Sequence, residues 1–311
     1  MGYYDHGDRN DVLSGGIRMI PIETAAGTFR VWTKRTGNNP ALKVLLLHGG
    51  PGATHEYLLG FDSWLPGAGV EYYYYDQLGS GWSDAPNDPT LVALERYVDE
   101  VEQVRRALGL DRSSFVLYGQ SWGGILAMEY ALAHPDALKG VIISNMMASI
   151  PAYNRYAADV LIPAQDPARI AEIQLMEATG RTDDPHYEEL LLEEHYVKHV
   201  LRMPLEAWPE PVGRSFARIN KSVYVPMQGP SELGASGALV DWDRFDDLAR
   251  IDVPALVVGG EHDTMDPAHL RAMADRMPRG DYLHTQGSHL AIYDDQETYM
   301  RGIIDWLGRL P

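Results

Sequence analysis

A serine stands between two glycines at residues 119–123, in the pattern Gly-x-Ser-x-Gly, and this segment constrains the fold more than any other. Residues 114–118 before it are β-branched and aromatic, which predicts a strand. From Trp122 the apolar residues recur at helical spacing until Pro135 ends the pattern. A serine on a tight strand-to-helix turn is typical of a nucleophile elbow, so we predict that Ser121 is a nucleophile in an α/β sheet.

Strand and helix patterns alternate on both sides of this motif. A hairpin through Ala26-Gly27 opens the pattern, and buried strands are predicted at Lys43 to Leu47, Val70 to Tyr75, Gly140 to Ser144, Ala255 to Gly259 and Asp281 to His284. Unbroken apolar strands indicate a sheet that is covered on both faces. We therefore predict the α/β class, with a mostly parallel, doubly wound sheet.

The alternation is interrupted in the middle of the chain. Residues 150–240 show no convincing buried strand, but they include amphipathic stretches such as Ala168 to Thr179 and Tyr187 to Arg202. We predict a core formed by residues 1–149 and 241–311, with residues 150–240 inserted as a helical cap.

Composition narrows the function classes. The chain has 26 Lys plus Arg against 44 Asp plus Glu, a net charge of −18, which disfavours nucleic acid and anionic membranes as partners. It has no cysteine, so disulfides and thiolate metal sites are excluded. No basic and apolar leader of the signal-peptide kind opens the sequence, and no apolar run approaches the ~18 residues of a membrane span. We expect a cytoplasmic location, and the oligomeric state stays open.

A serine hydroxyl needs a base and a group that orients the base. Two predicted loops at the carboxyl ends of strands supply candidates, and the order Ser121, Asp263, His289 suits a triad built on an α/β-hydrolase sheet. The remaining candidates are His262 and His284 for the base and Glu261 and Asp266 for the acid.

Acyl transfer at a serine also needs donors for the developing oxyanion. The elbow itself supplies the amide of Trp122. The loop His48-Gly49-Gly50-Pro51-Gly52 holds three glycines, which let the backbone approach a substrate closely. We predict that the amide of Gly50 is the second donor.

Several motifs together resemble the proline iminopeptidases, which are serine aminopeptidases of the α/β-hydrolase fold with a helical cap. They are HGGPG at 48–52, DQLGSGWS at 76–83, GQSWGG at 119–124, GEHD at 260–263 and GSH at 287–289. In the predicted cap, MQGPSE at 227–232 is similar to the branch with the archaeal tricorn-interacting aminopeptidase and bacterial amino-acid amidases.

The resemblance implies a triad of Ser121, Asp263 and His289 and no cofactor or metal. It implies that Glu232 and Glu261 hold the free α-amine of a short peptide or amino-acid amide, from which an N-terminal proline or another small or apolar residue is released. Charge-assisted hydrogen bonds from a carboxylate pair would suit that amine.

The sequence alone also allows two other functions. One is an esterase or amidase on the same scaffold, for substrates without a free amine; the other is a non-catalytic binding protein, since this fold is reused for binding. His195 and His199 have the spacing of a metal pair on a helix, but Tyr196 occupies the glutamate position of the His-Glu-x-x-His motif. We interpret the two histidines as part of a helix face.

Overall fold

Eight strands form one sheet in the computed structural model, which describes residues 16–311. The strands are β1 (Gly16–Thr24), β2 (Gly27–Thr36), β3 (Lys43–Leu47), β4 (Glu71–Asp76), β5 (Phe115–Gln120), β6 (Gly140–Ser144), β7 (Ala255–Gly260) and β8 (Gly280–Thr285). Their order is β1-β2-β4-β3-β5-β6-β7-β8. The two pairings of β2, with β1 and with β4, are antiparallel and the other five pairings in this sheet are parallel, so the α/β class and the mostly parallel sheet are confirmed.

Helices cover both faces of the sheet. They are α1 (Leu94–Ala107), α2 (Trp122–Ala133), α3 (Ile150–Tyr156), α4 (Pro167–Ala178), α5 (Pro185–Leu191), α6 (Glu210–Ala217), α7 (Lys221–Met227), α8 (Pro267–Arg276), α9 (Ala291–Asp294) and α10 (Gln296–Gly308). Apolar residues of α1, α2 and α8 pack in one core. Those of α10 and of a 3₁₀ helix at His55–Ser63 pack in the other, so the sheet is wound on both sides.

The four tyrosines of β4 show how the sheet divides the core. Tyr73 and Tyr75 belong to the cluster under α1 and α2, whereas Tyr72 and Tyr74 belong to the cluster under α10. All four are buried. Successive side chains of a strand point to opposite faces, so an apolar or aromatic run of this kind requires cover on both.

The region predicted as a cap lies between β6 and β7. Residues 150–240 contain α3 to α7 and two π-helical stretches, Ala157–Leu161 and Leu192–Val200, and they contain no strand. At the two ends of this region the amide of Ile150 donates to the carbonyl of Trp242 at 2.9 Å. The division into a core and a cap stays a prediction.

No helix within residues 16–311 combines the length and the apolar character needed to cross a bilayer.

Candidate active site

Ser121 lies at the turn between β5 and α2 with backbone angles that non-glycine residues rarely adopt, φ 55° and ψ −127°. The two glycines of the motif make this turn possible. A Cβ at Gly119 would lie 1.9 Å from the carbonyl oxygen of Gly123, and one at Gly123 would lie 2.3 Å from the carbonyl oxygen of Leu47. Strand and helix therefore cross too closely for any side chain at these two positions.

The ring of His289 is hydrogen-bonded to Asp263, with 2.8 Å between Nδ1 and Oδ1. Asp263 follows β7 and His289 follows β8, and these parallel neighbours end at the same edge of the sheet as the elbow. Asp263 is buried and also accepts a hydrogen bond from the amide of Met265 at 3.1 Å. With Nδ1–H donating to the carboxylate, Nε2 of His289 is available to accept a proton.

The other candidate acids and bases are engaged elsewhere. Asp266 is the N-cap of α8 and accepts a hydrogen bond from the amide of Ala268 at 2.9 Å. His284 faces Glu261, with 3.3 Å between Nε2 and Oε2. The amide of His262 donates to the carbonyl of Gly287 at 3.0 Å, and its ring is not among the groups that line the cavity at Ser121.

Burial and nearby charges shift the pKa of His289 in opposite directions. Burial lowers the pKa of the imidazole, but the nearby carboxylates of Asp263 and Glu232 raise it, and the net pKa lies above the ordinary value for histidine. Ser121 and His289 line the same cavity, and no hydrogen bond to Ser121 Oγ comes from residues 16–311. Hydrogen bonds between nucleophile and base are often long before a substrate binds and tighten in the complex.

The predicted oxyanion donors border the serine. Gly50 has a φ of 109°, which a glycine adopts without strain, and a cis peptide bond joins it to Pro51. Trp122 is the first residue of α2, so its amide has no carbonyl of its own helix to bond. Gly50, Ser121 and Trp122 line one small pocket. Neither amide donates to a backbone carbonyl within residues 16–311, and two such amides beside the nucleophile can stabilise an oxyanion.

A buried tyrosine ties the glycine loop to the elbow. The hydroxyl of Tyr57 accepts a hydrogen bond from the amide of Gly49 at 2.6 Å and donates to Oε1 of Gln120 at 2.7 Å. Nε2 of Gln120 in turn donates to the carbonyl of His289 at 3.0 Å. The loop, the elbow and the histidine are therefore held in one hydrogen-bonded network.

A cavity of about 960 Å³ opens above Ser121. Its outer wall is largely apolar and comes from residues 187–219, with Tyr187, Leu191, Tyr196, Trp208, Phe216 and Ile219 among the lining groups. The small pocket beside Ser121 is lined by Ile125, Met146, Tyr153, Leu239 and Met265. Gln228 and Glu232 also line this pocket, so a large cavity and a small, partly polar pocket meet at the nucleophile.

Glu232 borders both spaces, and it is an acidic residue in a largely apolar wall. Its Oε1 accepts a hydrogen bond from the hydroxyl of Tyr224 at 2.7 Å. Burial raises the pKa of this carboxyl, and His289 and the Tyr224 hydrogen bond oppose the rise. A carboxylate in such surroundings is favourable when a cation pairs with it.

Glu261, the other residue expected at the amine, is not brought to this cavity. Its side chain is 52 % exposed and faces His284 on β8. Its amide donates to the carbonyl of Thr285 at 2.9 Å, which extends the pairing of β7 with β8 by one residue. This pairing places Glu261 beside β8, so of the two glutamates expected at the amine Glu232 lines the cavity and Glu261 does not.

Two residues of the site were not predicted from the sequence. Asn145 follows β6 with a φ of 52°, and its Nδ2 donates to Oδ2 of Asp263 at 2.7 Å. A polar residue directly after a buried strand was the signal that could have revealed it. Tyr224 lies on α7, whose sequence contains Pro226 and so does not resemble a regular helix. No sequence motif includes this tyrosine.

His195 and His199, which the sequence places on one helix face, lie near the site. His195 is fully buried, and its ring centroid is 5.3 Å from that of His199. Nδ1 of His199 lies 3.1 Å from the carbonyl oxygen of His262. Within residues 16–311, no group of three or more His, Asp or Glu side chains is arranged to hold a metal ion.

Comparisons with known proteins identify the family and the fold. Residues 43–296 match the family described as alpha/beta hydrolase fold. The chain is 49 % identical over 290 residues to the proline iminopeptidase of Chitinophaga pinensis, covering 93 % of this chain and 97 % of that protein. It also resembles the crystal structure of VinJ, with a TM-score of 0.88 and 32 % identity over 96 % of this chain and 99 % of that one.

A second solved structure, the proline iminopeptidase of Mycobacterium smegmatis, matches with a TM-score of 0.82 and 29 % identity over 94 % of this chain and 98 % of that one. The resemblance inferred from the motifs is confirmed. This chain belongs to the proline iminopeptidase family of α/β hydrolases.

Proposed function

We propose that this protein is a serine aminopeptidase that releases N-terminal proline from short peptides, with Ser121, Asp263 and His289 as its catalytic triad. One observation carries the proposal. The 2.8 Å hydrogen bond between Asp263 and His289 lies at a cavity whose wall holds both Ser121 and the carboxylate of Glu232. The names of relatives such as the Chitinophaga pinensis proline iminopeptidase support the same reaction.

Acylation begins at Ser121. Nε2 of His289 takes the hydroxyl proton as Oγ attacks the carbonyl carbon of the first peptide bond. The amides of Gly50 and Trp122 donate to the oxyanion of the tetrahedral intermediate. The intermediate collapses when His289 returns the proton to the leaving nitrogen, and the acyl group remains on Ser121.

Deacylation repeats these steps with water. His289 takes a proton from the water as its oxygen attacks the acyl carbon, and then protonates Oγ of Ser121 so that the free amino acid departs. Asp263 keeps Nδ1 of His289 protonated and stabilises the imidazolium that forms twice in each cycle.

The substrate's amine is held by Glu232. A charge-assisted hydrogen bond from a secondary ammonium to Oε2 would leave Oε1 with its present donor, Tyr224. This bond fixes the first residue of the peptide next to Ser121 and prevents a longer chain from extending past that point. Glu232 therefore explains why the enzyme acts at the N-terminus.

The small pocket has about 10 Å³ of space, close to that of one water molecule, and it borders the larger cavity at Ser121 and Glu232. Its walls are the side chains of Ile125, Met146, Tyr153, Leu239 and Met265, and it begins at Ser121. A pyrrolidine ring is apolar on its carbon edge and polar only at its nitrogen. We propose that the ring lies in the larger cavity at the mouth of this pocket, with its carbons toward these side chains and its nitrogen facing Glu232.

In an esterase or amidase whose substrate has no amine, the buried carboxylate of Glu232 would receive no cation from the substrate. Such a carboxylate raises the energy of the free enzyme and contributes nothing to catalysis. The geometry therefore favours the aminopeptidase over that alternative.

The nucleophile is tested with Ser121→Ala and the substrate L-prolyl 4-nitroanilide. We expect turnover to be abolished while circular dichroism and the thermal transition of the variant stay close to those of the wild type. A fluorophosphonate probe should label the wild type and spare the variant. Full turnover by Ser121→Ala would overturn the mechanism.

Amine recognition is tested with Glu232→Gln and a pair of substrates. One is L-prolyl 4-nitroanilide; the other is 4-nitrophenyl cyclopentanecarboxylate, which has a five-membered ring but no amine. Loss of a buried charge partner costs about 2 kcal/mol or more, so kcat/KM for the prolyl substrate should fall about 30-fold or more. The cyclopentane ester should be hydrolysed at an unchanged rate.

Glu261→Gln is the matched control, because it makes the same chemical change on a residue outside the cavity. It should behave as the wild type with both substrates. Unchanged turnover of the prolyl substrate by Glu232→Gln would instead favour the esterase alternative, in which Glu232 is incidental, and an equal loss with both substrates would indicate a structural role.

A further inference from the structure

The π-helical stretch Leu192–Val200, here called the π segment, runs between the two groups that the proposed function needs most. One end lies against Glu232 and the other against His289. π-helical turns are rare and are frequent at functional sites. The contacts at each end of the π segment suggest what it does here.

At the first end, the side chain of His195 holds the backbone of Glu232. Nε2 of the imidazole lies 3.1 Å from the carbonyl oxygen of Glu232, and Nδ1 lies 2.8 Å from Nε2 of Gln165. The same Gln165 nitrogen donates to the carbonyl of Leu161 at 3.1 Å, which identifies it as the amide nitrogen. Nδ1 of His195 is therefore the acceptor, and Nε2–H donates to Glu232.

The Nε2–H group of His195 remains a hydrogen-bond donor in the neutral ring near neutral pH. Burial, and then the neighbouring His199, lowers the pKa of His195 to about 3, so the ring stays neutral. The hydroxyl of Tyr153 donates to the same Glu232 carbonyl at 2.7 Å. Two side chains therefore hold the backbone of Glu232, while Tyr224 holds its carboxylate.

At the other end, the last carbonyls of the π segment hold the loop of the base. The carbonyl of His199 accepts a hydrogen bond from the amide of His289 at 2.9 Å. The carbonyl of Val200 accepts from the amide of Leu290 at 2.8 Å and from the hydroxyl of Ser288 at 2.9 Å. Terminal carbonyls of a helix lack partners within it, so they are free to bind this loop.

We infer that the π segment sets the separation between the amine-holding carboxylate and the catalytic base, and that His195 is a positioning residue for amine recognition. The inference rests on the proposed function. Because the ring of His195 is hydrogen-bonded to the backbone of Glu232 and to Gln165, and not to a triad residue, its loss should displace the amine contact and leave the triad intact.

The test compares two amide substitutions of the same histidine. The longer side chain in His195→Gln can place an amide nitrogen where Nε2 of the ring lies, and so can keep the donor to Glu232. The shorter side chain in His195→Asn reaches only the position of Nδ1. His186→Asn is the matched control, because His186 is half-exposed on α5 and pairs with Glu172 instead.

Each variant is assayed with L-prolyl 4-nitroanilide and with 4-nitrophenyl cyclopentanecarboxylate. The net value of one hydrogen bond predicts that His195→Asn lowers kcat/KM for the prolyl substrate about fivefold. It should leave hydrolysis of the cyclopentane ester within about twofold of the wild type, within the scatter of such effects. His195→Gln and His186→Asn should resemble the wild type with both substrates.

Equal losses with both substrates in His195→Asn, without recovery in His195→Gln, would show a merely structural role and overturn the inference. Unchanged prolyl turnover in His195→Asn would overturn it as well. If Glu232→Gln lowers prolyl turnover while His195→Asn does not, only this inference fails; if Glu232→Gln has no effect, the proposed function fails.

If His195→Asn does not fold, Gln165→Met provides the same comparison. It removes the donor to Nδ1 and so releases the ring from the tautomer that binds Glu232. A selective loss with the prolyl substrate would again support the inference, and equal or absent losses would overturn it.

Discussion

Asn145 is the residue whose replacement tests the triad geometry most sharply. Its Nδ2 donates to Oδ2 of the buried Asp263 at 2.7 Å, and its Oδ1 accepts from the hydroxyl of Ser144 at 2.6 Å. Asn145→Asp keeps the shape of the side chain and its tolerance of a positive φ, but it replaces the donor with a carboxyl group. Two carboxyl groups then face each other beside His289.

The size of the repulsion follows from the distance between Nδ2 of Asn145 and Oδ2 of Asp263. Two unit charges at the present N–O separation would repel by about 6 kcal/mol at an effective dielectric constant of about 20. The pair therefore retains a proton, and the pKa of the introduced carboxyl lies well above its ordinary range. In its protonated form it donates to Asp263 as the amide did; in its ionised form it repels that carboxylate.

The assay is the pH dependence of kcat/KM for L-prolyl 4-nitroanilide, taken as the ratio of Asn145→Asp to the wild type. We expect this ratio to fall as pH rises from about 6 to about 9, because deprotonation removes the donor. Asn145→Gly removes the donor without adding a charge, and glycine accepts the positive φ. Its ratio should be independent of pH and about 10- to 150-fold below unity, the value of a hydrogen bond to a charged group.

A flat ratio for Asn145→Asp would refute the reasoning, since the two carboxyl groups would then not interact. Activity of Asn145→Gly equal to that of the wild type would show that Asn145 does not support Asp263. Urea unfolding of both variants separates these effects from a general loss of stability.

Three further predictions concern the same site. Ser121→Gly should be inactive and about 1 kcal/mol more stable to urea than the wild type, since glycine relieves the strain of φ 55°; equal or lower stability would contradict this. In the wild type, kcat/KM should rise with pH through an acid-limb pKa above 6.5, because the pKa of His289 is raised and only the neutral ring accepts a proton; a midpoint below 6 would contradict it. Tyr224→Phe should lower prolyl kcat/KM about fivefold, the value of one hydrogen bond, and spare the cyclopentane ester; equal losses with both would indicate a structural effect.

Much of the fold could be predicted because its strands are covered on both faces. The apolar runs at Lys43–Leu47 and Gly140–Ser144 have the predicted bounds, and β7 extends one residue beyond the prediction. The π segment could not be predicted as such. It lies inside a stretch predicted only as amphipathic from Tyr187 to Arg202, and side-chain periodicity does not distinguish hydrogen bonds to the fifth residue from those to the fourth.

Some residues of the site could likewise be predicted from the sequence, and others could not. Ser121, Asp263 and His289 follow predicted strands, and the ends of parallel strands meet at one edge of a sheet, so strand order alone brought their loops together. Glu261 also follows a strand, but which way its side chain points depends on its pairing with Thr285, which the motif does not encode. Asn145 depends on a contact with a residue 118 positions away, and Tyr224 depends on how the chain after α7 turns back to bring Glu232 to it, so the local pattern could not reveal either residue.

The region between β6 and β7 contacts the two loops on which the chemistry depends. On the oxyanion side, the amide of Asn220 donates to the carbonyl of Gly52 at 2.9 Å. On the base side, the carbonyl of His199 accepts from the amide of His289. Selection of the substrate and positioning of the reacting groups are thus joined through the same backbone. Substitutions that shift this region as a whole should therefore change kcat together with KM, whereas those confined to the carboxylate of Glu232 should act on the amine alone.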